Sequence, residues 1–138
     1  LAAEDPAPLL ERLRLECEMG SMAEPVAKGT NFAALNSDTD ILAHPGLISR
    51  READIAAKRG IFLEITSRHG HSIANGHVAR ASMASGALLP INSDSHASKD
   101  MIGQETGARI GLGSGLRAPE VRRILVDNPR KLLKRILE

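Results

Sequence analysis

From Ile41 onward, short apolar runs alternate with stretches whose apolar residues recur at helical spacing. "DILAHPG" (Asp40 to Gly46) reads as a buried strand stopped by Pro45-Gly46. "SRREADIAAKRG" (Ser49 to Gly60) reads as a helix, with Ser49 and Glu52 at capping-box spacing and a glycine stop. The unit repeats: "IFLEIT" (Ile61 to Thr66) predicts a strand, "NGHVARASMASG" (Asn75 to Gly86) a helix, and "ALLPIN" (Ala87 to Asn92) a further strand, in which Pro90 fits a strand start or a bulge. A third helix is predicted over Ser98 to Ile110. After "GLGSG", Pro119 and Pro129 at first helical positions predict two short terminal helices. The N-terminal third predicts a helix from Pro8 to about Arg14, a loop at Glu24 to Gly29 and a short helix at Asn31 to Leu35, and allows a strand at Leu13 to Cys17.

Strands separated by short helices imply βαβ units and a parallel sheet, either open or closed into a barrel. In both architectures sites assemble at the C-terminal ends of the strands. His44 ends the first of these strands, Glu64 lies near the end of the second, and Asp94 and His96 fall just past the third. Residues able to bind a metal therefore recur at one rim.

Length sets the frame: 138 residues fit one domain, 1–138, with a real core. Phe32 and Phe62 are the only Phe, Tyr or Trp residues, so that core is built from Leu, Ile, Val, Ala and Met. A formal net charge of +1 gives no bulk drive toward nucleic acid or an anionic membrane. The single cysteine, Cys17, excludes an intramolecular disulfide and fits a reducing compartment. No apolar run approaches the ~20 residues of a membrane span. A cytoplasmic protein without a membrane partner is the expectation.

The candidate chemistry centres on "INSDSHASKD". In an extended stretch alternate residues point the same way, so Asp94 and His96 can face one ion. Hard oxygen with imidazole nitrogen suits Zn, Mn or Fe; the competing reading is a turn-starting aspartate and a surface histidine. His44 is either a ligand or a hydrogen-bonded rim residue. Glu64 puts a charge inside an apolar strand, which is costly unless it is paired, metal-bound or on a solvated edge. "TSRHGHSIANGHVAR" supplies Arg68, His69, His71, Asn75 and His77 before a helix, a composition that fits a phosphate cradle or a solvated loop, with His69 beside a flexible glycine a poor ligand. The C-terminal basic residues, without aromatic stacking partners, read as the solvated faces of amphipathic helices. Cys17 has no histidine-paired context that would make it a nucleophile. "GLGSG" follows no strand and fails as a dinucleotide fingerprint.

Taken together and in this order, "DILAHPGLIS", "LEITSRHGHSIANGHVA" and "LLPINSDSHASKDMI" resemble the polymerase and histidinol phosphatase (PHP) family of metal-dependent phosphoesterases, in particular its stand-alone histidinol-phosphatase-like members. The resemblance covers roughly Glu24 to Glu138, while residues 1–23 diverge. It implies an α/β fold of parallel βαβ units forming part of a distorted TIM-like (β/α)7 barrel, with a cluster of divalent metals (Zn, Mn or Fe) at the C-terminal rim. It makes His44, Asp94 and His96 metal ligands and places Arg68 and His71 by the phosphate of a small phosphorylated substrate. The implied reaction is metal-dependent hydrolysis of a phosphomonoester, with Arg68 balancing charge on the phosphoryl oxygens.

The sequence departs from that pattern in two ways. The family's opening strand, ending in His-x-His, and the further histidine and bridging glutamate that follow have no counterpart here, and the "HGE" expected before "EPVAKGTN" is Glu18-Met19-Gly20. The chain, which opens on Leu1 rather than methionine, thus corresponds to about the second half of a barrel, with Glu64 or Glu18 as possible substitute ligands. Two other functions stay open: a non-catalytic scaffold or interaction module of the same fold, and an RNA-binding barrel like the protein subunits of ribonuclease P, which the near-zero charge and missing aromatics disfavour. A half-barrel exposes two strand edges and an apolar face, so the expected state is a homo-oligomer that closes the sheet. Light scattering coupled to sizing should return a mass above that of one chain, and a monomer would refute this.

Overall fold

The computed structural model describes the strand at 17–18 and residues 27–138. In chain order the elements are β1 (Cys17–Glu18), α1 (Thr30–Leu35), β2 (Ile41–Ala43), α2 (Arg50–Arg59), β3 (Phe62–Leu63), β4 (Ile65–Thr66), α3 (Asn75–Ser85), β5 (Ile91–Asn92), α4 (Gln104–Gly113), α5 (Ala118–Arg122) and α6 (Asn128–Leu137). The expected helix at Pro8 to Arg14 lies outside the described residues. All strand pairs are parallel, in the orders β1-β2-β3 and β4-β5. The architecture is therefore α/β, and the described residues form no closed barrel.

Each local signal has a physical outcome. In α2 the Ser49 hydroxyl accepts from Glu52 N while the Glu52 carboxylate accepts from Ser49 N, closing a capping box. The helix stops where Gly60 takes φ +69°, with Ile61 N bonded to Ala56 O and Gly60 N to Ala57 O, a Schellman pattern.

Residues 61–66, read as one strand, are two short ones on either side of Glu64. Phe62 and Glu64 donate to Asp40 O and Leu42 O on the β2 side, while Leu63, Ile65 and Ser67 donate to Leu88 O, Pro90 O and Asn92 O on the other. The segment thus joins the two sheets into one backbone ladder. The strand expected over Ala87 to Asn92 contracts to Ile91–Asn92 because Pro90 has no N–H to return to Leu63, leaving that part of the ladder one-sided.

Two more elements differ from expectation. The helix expected from Ser98 to Ile110 is a 3₁₀ turn (Ser98–Asp100) followed, after extended Met101 and Gly103, by α4. The two expected terminal helices are one helical run, α5 and α6 joined by a π turn at Arg123–Asp127. Pro129 removes an N–H and crowds the carbonyl four residues back, and a widened turn relieves both. Asn128, just after that turn, donates its side-chain amide to Leu89 O at 2.7 Å, tying the run to the segment that leads into β5.

Both faces of the sheet are covered. Leu42, Leu63 and Ile65 pack with Leu35, Ala53, Ala56, Val78, Val121 and Ile124 from the helices. Ile41 and Phe62, on the other face, meet Leu132 and Ile136 of α6. Arg135 anchors that helix at the N-terminal strand ends, donating to Gly60 O at 2.8 Å, pairing with Asp40 at 2.9 Å and lying over the Phe62 ring. The apolar face expected to lack a partner is therefore partly covered from within the chain. Asn128→Ala leaves the buried Leu89 carbonyl unsatisfied and should cost about 1–3 kcal/mol, measurable as a lowered urea midpoint with an unchanged slope.

Candidate metal centre

The C-terminal strand ends and the loops that leave them build one polar cluster. β2 delivers His44, which adopts φ +46°, and the loop after β5 delivers Asp94, at φ +47°. Among the described non-glycine residues, positive φ occurs at these two positions, so the backbone strain sits at the site itself. Asn75, at the start of α3, fixes the end of β4: it donates to Thr66 O at 2.8 Å and accepts from Thr66 N at 3.1 Å. His77 Nε2 lies 2.7 Å from Ile48 O, holding α3 against the loop that follows His44.

Glu64 points inward. It is 1% exposed, accepts from His44 N at 2.9 Å and lies 2.7 Å from His44 Nδ1. Burial pushes its carboxyl up, but contacts with His44, aided by Asn92, hold it below its ordinary value. The opposite side of the same imidazole faces Asp94, with Nε2 3.5 Å from Oδ2. His71, from the 3₁₀ turn at His71–Ala74, stacks on the His44 ring with centroids 4.1 Å apart and planes 11° apart. Burial, and then the neighbouring His44, lower the His71 pKa against the pull of Asp94 and Glu64, favouring a neutral imidazole that can ligate.

His44, His71 and Asp94 each present a ligand atom within 4.8 Å of the others. Two imidazole nitrogens and a carboxylate oxygen form the donor set of a borderline divalent ion, and the residues fit the metal that the sequence implied. His96 lies outside this group. Its side chain is 61% exposed and its Nδ1 sits 2.8 Å from Asp94 O and 3.0 Å from Arg68 Nη1. His71, expected beside the phosphate, therefore joins the group that could hold a metal, while His96, expected as a ligand, stands beside Arg68.

Arg68 bridges the loops after β4 and β5. Its Nη1 donates to Asp94 O at 3.2 Å and lies 3.7 Å from Asp100 Oδ2, and its Nε lies 3.6 Å from Asp94 Oδ2. Asp100 in turn accepts from His96 N and Ala97 N, and these bonds, with Arg68 nearby, hold its carboxyl below the ordinary range. Sequence reasoning did not single out Asp100. Its signal was its place at the end of a short turn four residues after His96. Glu18 pairs with Ala43, placing its backbone beside the residue that precedes His44.

No family model matches the chain. The chain is 44% identical over 117 residues to the uncharacterized protein MJ1295 of Methanocaldococcus jannaschii, an alignment covering 84% of this chain and 54% of that protein. The chain thus spans about half the length of this relative. No helix among the described residues is long and apolar enough to cross a membrane.

Because the Glu64 pKa is lower in the folded chain than the ordinary 4.5, its contribution to stability is fully present above that value and is lost as the pH falls through the folded pKa. Glu64→Gln should therefore cost about 1.5–3 kcal/mol at pH 7. It should also flatten the acid limb of stability against pH, read from urea unfolding between neutral pH and pH 3.5. A parallel decline in both proteins would refute this.

Proposed function

We propose that the chain carries a metal site of a PHP-type phosphoesterase that hydrolyses small phosphomonoesters, as histidinol-phosphatase-like enzymes do. The single observation carrying this reading is the convergence of His44, His71 and Asp94 at the C-terminal rim with the Arg68 guanidinium against the same aspartate. In this proposal the parallel α/β sheet is part of a distorted TIM-like (β/α)7 barrel, and a second copy of the chain closes its open edge.

His44, His71 and Asp94 would hold one divalent ion of the Zn, Mn or Fe kind, which when bound would supply Lewis acidity toward a phosphoryl oxygen and toward water. Glu64 holds His44 from behind, so that the imidazole turns its other nitrogen to the cluster. His71, stacked on that ring, excludes water from one side of it. Arg68 faces the phosphoryl group, where a planar guanidinium matches its oxygens. His96, exposed beside Arg68, meets the leaving part of the substrate.

A second reading, a non-catalytic scaffold of the same fold, is favoured by Glu18-Met19-Gly20 standing where the resemblance calls for a liganding histidine. Elemental analysis of the purified protein, followed by turnover of p-nitrophenyl phosphate with and without chelator, separates the two. The enzyme reading predicts near-stoichiometric metal and turnover that chelator abolishes. His44→Ala and Asp94→Ala should each lower turnover by more than the about 10–100-fold that loss of an outer-shell partner costs. Stable folding with no metal after reconstitution favours the scaffold, and turnover surviving both substitutions places the site elsewhere.

A further inference from the structure

Arg68 is already committed to the atom a metal would need. Asp94 Oδ2 lies 3.5 Å from His44 Nε2 and 3.6 Å from Arg68 Nε, so the carboxylate that completes the ligand cluster is also the counter-ion of the guanidinium. The rest of the arginine is held around it: Nη1 reaches Asp94 O, His96 Nδ1 and Asp100 Oδ2, and the backbone N donates to Thr66 Oγ1 at 3.1 Å. Nη2 makes no hydrogen bond among the described residues, and the side chain is one-third exposed. The buried carboxylate beneath the cluster, Glu64, is paired with His44.

A divalent cation among His44, His71 and Asp94 takes the Asp94 charge and places two positive charges beside a third. We infer that Arg68 and the metal compete for Asp94: the arginine is the counter-ion of the metal-free site, and metal binding releases it to take an anionic phosphoryl group. Metal and phosphate sites are then coupled through one residue, and by linkage each ligand strengthens the other. The ordering follows from charge. Asp94 is the carboxylate that the arginine and the ligand cluster share, whereas Asp100 lies against Nη1 alone; when the metal takes Asp94 the Nε edge of the guanidinium opens, and an incoming phosphoryl group supplies the negative charge that Asp94 no longer offers.

This inference rests on the metal-site reading above, and its test is built to fail separately. Mn²⁺ is titrated by calorimetry into the metal-free chain, into Arg68→Gln and into Arg68→Lys, with circular dichroism verifying that each is folded. Competition predicts that Arg68→Gln binds Mn²⁺ more tightly, by at least the about fivefold at the lower end of such couplings, while Arg68→Lys, which keeps the charge, stays at the wild-type affinity. A merely structural arginine, needed to hold the loop that carries Asp94, predicts the opposite sign, because its loss would loosen a ligand. Equal or weaker binding by Arg68→Gln overturns the inference, as does an equal gain in Arg68→Lys. If none of the three proteins takes Mn²⁺, the metal-site reading itself fails and the inference falls with it.

Inorganic phosphate gives the second readout. Arg68→Gln should weaken phosphate binding to the Mn²⁺-loaded chain and leave the metal-free chain unchanged, because only the loaded site frees the guanidinium. An equal loss in both states overturns the coupling.

Discussion

A carboxylate sealed inside an apolar strand keeps its charge only if the fold brings a partner to it, and this requirement organises the rim of the molecule. Glu64 is that carboxylate, and His44 answers it twice, with its backbone N–H and with its imidazole. The pairing joins the ends of two neighbouring strands and orients the histidine ring. It also leaves the opposite ring nitrogen facing Asp94. Replacing the pair by apolar residues would satisfy the core equally well. Its placement under a cluster of potential ligands therefore points to a positioning role.

The surrounding structure supplies the rigidity such a site needs. Asn75 secures the last turn of β4 through both backbone groups of Thr66, and His77 fastens α3 to the loop beyond His44. At the opposite end, Arg135 and Asn128 fix the terminal helical run to the beginnings of the strands. Among the described non-glycine residues, positive φ falls where the chain turns from the sheet into the cluster. Strain concentrated on two candidate ligands, within a scaffold held at both ends, is the pattern expected when geometry at the site outweighs local comfort.

Much of the scaffold was legible because its signals are local. Ser49 and Glu52 at capping spacing, Gly60 and Gly86 as stops, and apolar runs ahead of His44 and Asp94 each act within a few residues, and each appears in the structure at or near its expected place. Two of the differences trace to contacts with distant segments. Pro90 silences only one return bond to Leu63, which shortens a strand without displacing it. Pro129 produces a π turn instead of a break because the helix on either side is held by Asn128 and by the packing of Ile124 and Leu132.

By itself the sequence determined the α/β alternation, the parallel sense of the strands and the rim on which Asp, Glu, Arg and His would gather, because hydrophobic period, caps and connection length are short-range properties. It also placed His44 and Asp94 at one rim, where the fold brings their side chains to 3.5 Å. Only the tertiary structure decided whether Glu64 faced in or out, since a strand of alternating faces is blind to which face the helices cover until Leu132 and Ile136 occupy one and α2 and α3 the other. Only the tertiary structure, too, exchanged the places of His71 and His96. Spacing along one loop says which side chains can point together, but ring stacking on His44 and the pull of Arg68 come from segments 20 or more residues away, and those contacts settle which histidine meets the cluster.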